Sequence, residues 1–188
     1  MDESVHWQIA QATDKLISGG VIAYPTETIY GIGCDPRSAK ALNKLLKIKQ
    51  RDANKGFILL ASEPEQLCFW LEDKWISWLK KQSETPITTW VVPCKKETLP
   101  ELKGEHKSLA VRLSSHPMVK RLCAITGAIT STSVNRTDQG PLNDYIKIKQ
   151  QFLLELDWII PDETQTKVVQ ERKSSRIVDA VSGKILRK

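Results

Sequence analysis

Four polar segments, spread along the 188-residue chain, hold residue types suited to binding a polyanion and a small polar molecule. The first is Pro25-Thr26-Glu27-Thr28-Ile29-Tyr30-Gly31-Ile32-Gly33. Thr26, Thr28 and Tyr30 can each donate and accept hydrogen bonds. Gly31 and Gly33 allow positive φ and close backbone approach. The segment lacks the Gly-Lys-Ser/Thr of a Walker loop, and an ordinary strand-to-strand turn is the competing reading. The second is Lys47-Ile48-Lys49-Gln50-Arg51, then Lys55-Gly56. A lysine point charge beside a forked guanidinium suits a triphosphate or a carboxylate. Cations placed against the negative end of a helix would look the same.

The third segment, Thr130-Ser131-Thr132-Ser133-Val134-Asn135-Arg136-Thr137, follows a short strand. Its hydroxyls and the Asn135 amide can hold phosphate oxygens together with backbone N–H groups. A polar surface turn is the alternative. The fourth is Ser174-Ser175-Arg176-Ile177-Val178-Asp179, with Arg187 downstream, which alone reads as a turn entering an edge strand.

Elements of both kinds must position these segments. Helical spacing of Val5, Ile9, Ala12, Leu16 and Ile17 predicts a helix over 4–18, stopped by Gly19-Gly20. Ser38 caps a second helix over 38–48 with an apolar side of Ala41, Leu42, Leu45, Leu46 and Ile48. Further helices are expected over 64–71, 75–81, 117–125 and 144–156, and a charged loop over 93–107. Strands are expected over 21–24, 57–61, 87–92, 108–113, 128–130, 158–160, 177–179 and 184–187. The intermingling of strands and helices predicts an α/β fold on one mixed sheet.

Composition narrows the class. Hydrophobic residues make up 40% and charged residues 27%, a balance that excludes a fibre or a disordered chain. No apolar run approaches the ~20 residues of a membrane span, and the acidic start is unlike a secretory leader, so a soluble cytoplasmic protein is expected. The four cysteines lie at 34, 68, 94 and 123 and the three histidines at 6, 106 and 116, too scattered for a metal cluster. The net charge is +6, and residues 37–56 alone carry seven bases against one acid. Residues 164–188 carry seven bases against two acids. Such blocks suit nucleotide phosphates or RNA, and a solvated helix face is the competing reading that charge alone favours.

Taken in order, the motifs Pro25–Gly31, Lys49-Gln50-Arg51, Pro86-Ile87-Thr88, Ala110-Val111-Arg112, Ser131–Asn135, Ser175–Asp179 and Arg187 resemble the YrdC/TsaC family, the threonylcarbamoyl-AMP synthases. The resemblance spans nearly the whole chain. It implies a single YrdC-like domain over 1–188, with a twisted mixed sheet, helices and an open basic cavity. It implies a nucleotidyltransferase that joins L-threonine, bicarbonate and ATP into threonylcarbamoyl-AMP and pyrophosphate. The product serves N6-threonylcarbamoyladenosine formation in tRNA, met directly or through partner proteins. By position, Thr26, Thr28 and Tyr30 would hold threonine, with Arg112 and Ser175 at its carboxylate or hydroxyl. Lys49, Arg51 and Lys55 would take the triphosphate and carbamate, with Lys49 and Arg51 catalytic. Ser131, Ser133, Asn135 and Arg187 would bind the nucleotide. Magnesium would arrive with ATP, held by phosphates and water. Departures fall at Glu84-Thr85, Val134, Arg136-Thr137-Asp138, Ser174 and Arg176. The competing readings are a non-enzymatic RNA-binding or ribosome/tRNA maturation module of the same fold, and a nucleotide binder that makes no adenylate.

Overall fold

The computed structural model describes residues 3–82, 86–136, 139–162 and 174–187. Glu84-Thr85, Thr137-Asp138 and Lys167, Arg172, Lys173 and Lys188 of the last basic block lie outside the described residues. Among the described residues nine strands form one sheet: β1 (Ile22–Tyr24), β2 (Gly31–Gly33), β3 (Ile58–Ala61), β4 (Thr88–Pro93), β5 (Ser108–Leu113), β6 (Ile129–Ser133), β7 (Trp158–Ile159), β8 (Arg176–Asp179) and β9 (Ile185–Arg187). Their order is β7-β1-β2-β6-β3-β5-β4-β8-β9. Three pairs are parallel (β1 with β7, β3 with β5, β4 with β8) and the other five antiparallel, so the sheet is mixed.

Six α-helices among the described residues cover this sheet: α1 (Glu3–Ile17), α2 (Ala39–Lys49), α3 (Asp73–Leu79), α4 (Pro100–Lys103), α5 (Pro117–Thr126) and α6 (Tyr145–Phe152). Strand alternation sends neighbouring side chains to opposite faces. Ile22, Tyr24, Leu60 and Ile129 pack with Ile9 and Leu16 of α1 and Leu122 of α5. Ala23, Ile32 and Leu59 pack on the other face with Leu42 and Leu45 of α2, Leu79 of α3 and Phe152 of α6. Each such burial contributes about 1.5–3 kcal/mol, which holds both layers to the sheet.

Local signals explain the helix ends nearest the site. The Ser38 hydroxyl accepts the Ala41 N–H at the start of α2, and Gln50 ends that helix in the left-handed region at φ 49°. Asp144 caps α6 by accepting the Lys147 N–H.

Several expectations change. Residues 64–71 form only a 3-10 turn over Pro64–Leu67. The stretch 93–107 contains α4, started by Pro100 and ended at Gly104. The hydroxyl run after Ile129 is not a loop: β6 continues through Ser133. Gly31 and Gly33 form a strand of their own and neither has positive φ. Their role is close approach, since a Cβ on Gly33 would sit 1.8 Å from the Thr130 carbonyl oxygen.

Candidate active site

The face of the sheet that carries α1 and α5 at one end is open at the other, over a cavity of about 590 Å³. Its floor follows from register. Ile58 pairs with Ser131 on one side and Ala110 on the other, so these three side chains share a face. Ser133 and Arg112, two residues further along their strands, share it too. All five line the cavity. The rim is built by the Thr28–Tyr30 turn, the 51–57 connection, Lys103 and His106, and the segments Ser174–Ser175 and Leu186–Arg187.

Backbone contact joins two of these rims. Phe57 N–H donates to the Leu102 carbonyl at 2.8 Å. A Cβ on Gly104 would lie 2.2 Å from the Asn54 carbonyl oxygen, and Gly104 has φ 64°. Glycine there is what lets the 102–106 segment close on the 51–57 connection.

Five cations line the cavity, Arg51, Lys55, Lys103, Arg112 and Arg187, and no carboxylate does among the described residues. Arg51 donates from Nε and Nη2 to the Gly56 carbonyl at 3.2 and 3.0 Å, with its guanidinium carbon 5.6 Å from the Phe57 ring centroid. Arg187 donates from Nε and Nη2 to the Ser175 carbonyl at 3.1 and 2.8 Å. The Ser175 hydroxyl lies 2.8 Å from that of Thr89. Arg112, 5% exposed, donates from Nη1 to Thr28 Oγ1 at 3.0 Å. Burial lowers the pKa of Arg51, Arg112 and Arg187, and the Arg112 charge lowers that of Arg187 further. Guanidinium groups stay protonated regardless. The site therefore holds desolvated positive charge, and an anion placed there would relieve it.

Four expected residues sit differently. Thr26 and Lys49 do not line the cavity, and neither does Asn135. The Thr26 hydroxyl bonds the Ile29 carbonyl at 2.7 Å, the Thr28 N–H and the Thr28 hydroxyl, so it shapes the turn from inside. Tyr30 lines the cavity, but its phenol is fully buried and donates to the Ile160 carbonyl at 2.6 Å. Lys49 Nζ donates to the Ser133 and Asn135 carbonyls and to Asn135 Oδ1. Asn135 Oδ1 also accepts from the Ser133 hydroxyl at 2.7 Å, and its Nδ2 donates to the Gln139 carbonyl. These groups are spent on internal bonds: Thr26, Tyr30 and Lys49 are buried and must find partners there, and Asn135 is partly buried beside Lys49. The structure thus brings Thr28, Tyr30, Arg51, Lys55, Arg112, Ser131, Ser133, Ser175 and Arg187 to one wall.

Sequence reasoning missed Glu27, Lys103 and His106. Glu27 lies beneath Arg112, with Oε1 3.3 Å from Arg112 Nε and Oε2 accepting the Ser114 hydroxyl at 2.6 Å. Oε1 and Arg112 Nε are buried yet outside hydrogen-bond geometry. A buried ion pair of this kind costs desolvation and fixes orientation more than it stabilises. Its signal was an acid inside the hydroxyl motif. Lys103, whose Nζ donates to the Lys96 carbonyl at 3.2 Å, and the exposed His106 gave no signal beyond a charged stretch.

Among the described residues no three His, Cys, Asp or Glu side chains cluster to hold a metal ion. No helix among them is long and apolar enough to cross a membrane.

A family model named for Sua5, YciO and YrdC, and described as telomere recombination, matches residues 14–188. The chain belongs to the Sua5/YciO/YrdC family. Relatives agree with the assignment. A protein of Stutzerimonas stutzeri named threonylcarbamoyl-AMP synthase is 39% identical over 184 residues, 96% of this chain and 97% of that one. A protein of Photobacterium profundum with the same name is 40% identical over 185 residues, 95% of this chain and 97% of that one. Solved structures share the fold of the family. E. coli YciO superposes with a TM-score of 0.77 at 22% identity, over 96% of this chain and 88% of that one. P. abyssi Sua5 complexed with L-threonine gives 0.79 at 23%, over 92% of this chain. The chain spans 51% of that P. abyssi protein, about half its length.

Proposed function

We propose that this protein is a threonylcarbamoyl-AMP synthase, which condenses L-threonine, bicarbonate and ATP to the mixed anhydride and pyrophosphate. The observation that carries the reading is the cavity itself. About 590 Å³ lies within the range of small-molecule sites, and five cations line it with no carboxylate among the described residues. Such a wall suits a triphosphate and a carboxylate together. The names of relatives at about 40% identity over nearly the full length support the same activity.

The chemistry asks for positioning and charge neutralisation, not a covalent nucleophile. The threonine amine attacks the carbon of bicarbonate and loses a proton as hydroxide leaves, giving a carbamate and one water; attack on free CO2 gives the same carbamate and a proton. A carbamate oxygen then attacks the α-phosphorus, and pyrophosphate leaves. Arg112, Thr28 and Ser175 are assigned to threonine, with Arg112 at its carboxylate and held in place by Glu27. Arg51, Lys55 and Arg187 are assigned to the phosphates. Ser131 and Ser133 are assigned to the nucleotide, with Asn135 behind them. Thr26 and Tyr30 serve the threonine side by holding the 25–30 turn. A cavity wall without carboxylates offers magnesium no protein ligand of the kind it prefers, so the ion is assigned to the phosphates and water of incoming ATP. The acyl group of the product is destined for a tRNA adenosine.

The test is pyrophosphate release from ATP, with the adenylate sought by mass spectrometry. Release is expected only when threonine and bicarbonate are both present. A protein that binds RNA but releases no threonine-dependent pyrophosphate would overturn the reading in favour of an RNA-binding module.

A further inference from the structure

The two cations of the Lys49-Gln50-Arg51 motif have opposite surroundings. Arg51 lines the cavity, whereas Lys49 is 3% exposed and does not. Lys49 is the last residue of α2, and its ammonium group reaches the turn that follows β6. Nζ lies 2.5 Å from the Ser133 carbonyl oxygen, 2.6 Å from that of Asn135 and 2.6 Å from Asn135 Oδ1. An ammonium has three donors, and three oxygens of one turn occupy them. The turn answers in the other direction. Arg136 Nη1 donates to the Ile48 carbonyl, one of the orphan carbonyls at the end of α2, at 2.8 Å. The same guanidinium pairs with Glu155 and stacks 5.1 Å from the Phe152 ring centroid. Two cations thus tie α2 to the 133–136 turn, one from each side.

We infer that Lys49 is a positioning residue, not a phosphate ligand: its ammonium group fixes the Ser133–Asn135 turn, and through it the nucleoside-binding edge of the cavity. The inference rests on the nucleotide-binding reading of that edge. Ser133 lines the cavity, and its hydroxyl is aimed by Asn135 Oδ1, the atom that Lys49 also holds. Removing the ammonium takes this donor from two part-buried backbone carbonyls and leaves Asn135 Oδ1 with the Ser133 hydroxyl alone, and the turn must move to satisfy them. Phosphate binding at Arg51, Lys55 and Arg187 does not depend on that turn.

Two probes separate the roles. AMP reads the nucleoside edge and inorganic tripolyphosphate reads the cation wall alone. Calorimetry on Lys49→Met, Asn135→Ala and the double variant gives both affinities. Lys49→Met is expected to weaken AMP by about tenfold or more, the scale of one lost bond to a charged group. Tripolyphosphate should change less than about threefold, the residue of a lost charge at a distance. The double variant should bind AMP about as Lys49→Met does, because both substitutions cut the same link. Arg136→Ala breaks the reciprocal bond and is expected to weaken AMP selectively as well, which keeps the test available should Lys49→Met fail to fold. A tenfold loss for tripolyphosphate in Lys49→Met, or independent effects of Lys49→Met and Asn135→Ala, would overturn the inference. Wild-type protein that binds tripolyphosphate but not AMP would instead sink the nucleotide reading itself.

Discussion

Arg51 offers the most direct trial of the cation wall. Its guanidinium has five N–H donors, and the Gly56 carbonyl takes one from Nε and one from Nη2, at 3.2 and 3.0 Å. The Phe57 ring holds the group from one side, 5.6 Å from its centroid. Three donors are left for a ligand. Arg51→Ala removes a charge-assisted phosphate contact of about 1.5–3 kcal/mol. At about 1.36 kcal/mol per decade that is roughly a tenfold to 150-fold fall in kcat/KM for ATP. The same change removes the bond to Gly56, about 0.5–1.5 kcal/mol, and the ring contact, about 0.5–1 kcal/mol. A total near 1–2.5 kcal/mol is a fraction of ordinary domain stability, so the variant is expected to fold. Arg51→Lys restores the charge but cannot fork between Gly56 and a phosphate, so only partial recovery is expected. The assay is initial-rate pyrophosphate release with ATP varied at saturating threonine and bicarbonate, beside a urea titration of each variant. A folded Arg51→Ala protein with wild-type kcat/KM would refute the reasoning.

Thr26→Val should cost about 1–3 kcal/mol in urea unfolding, since its buried hydroxyl serves the Ile29 carbonyl and Thr28. Thr28→Val should raise the KM for threonine more than Thr26→Val does, because Thr28 lines the cavity and receives Arg112 Nη1. Burial, then the charges of Arg51 and Arg136, push Lys49 down to about 8. AMP affinity is therefore expected to fall as pH rises through 8, measured by calorimetry between pH 7 and 9.5. Above about pH 8 the unfolded chain still holds the lysine proton that the folded one has lost, so this group's contribution to stability rises with pH there while AMP affinity falls. Lys44→Met removes a half-exposed pair with Asp157 worth about 0.2–1 kcal/mol and should leave adenylate synthesis intact. Burial opposes ionisation of Asp157, but the bonds from Lys44 and the Val21 N–H outweigh it and hold its pKa below the ordinary carboxylate value. The stability it contributes is present above that ordinary value and lost as pH falls through the lower folded one. Acid unfolding of Lys44→Met should accordingly begin at higher pH than in the wild type.

The helices were legible because their ends carry chemistry. Ser38 and Asp144 cap by side-chain bonds that the sequence advertises, and Gly127 closes α5. Strand β4 was legible from the β-branched residues Thr88, Thr89, Val91 and Val92, and β3 from its apolar run. Two of the errors, at 93–107 and after Thr130, share one cause, reading polarity as loop. Thr130 and Thr132 are β-branched and fit a strand, and β6 runs through them, with the buried Thr130 hydroxyl accepting the Cys34 N–H and Ser131 and Ser133 lining the cavity. Strand β2 has two glycines in three residues, and no propensity scale marks it. It forms because Gly33 lets the Thr130 carbonyl approach to where a Cβ would be. At the site, Arg112 and Thr28 were legible one by one, but Glu27 was not. Its partner is 85 positions away, and only the fold joins them.

The basic block at 37–56 carries the same lesson into function. As a run of seven bases against one acid it suited nucleotide phosphates or RNA. The fold sorts it into separate destinations. Arg37 pairs with Asp35, and Lys44 with Asp157. Lys49 is buried in the 133–135 turn, and Arg51 and Lys55 reach the cavity. The other cavity cations come from three further segments, at Lys103, Arg112 and Arg187. Positive charge at the site is therefore a product of topology: β3, β5 and β9 bring to one sheet face what the chain keeps apart. A count of charges along the sequence measures long-range attraction for a polyanion. It does not identify the side chains that would touch one, and substitutions chosen by that count would strike Lys40 and Lys47, exposed on α2 away from the cavity wall, as readily as Arg51.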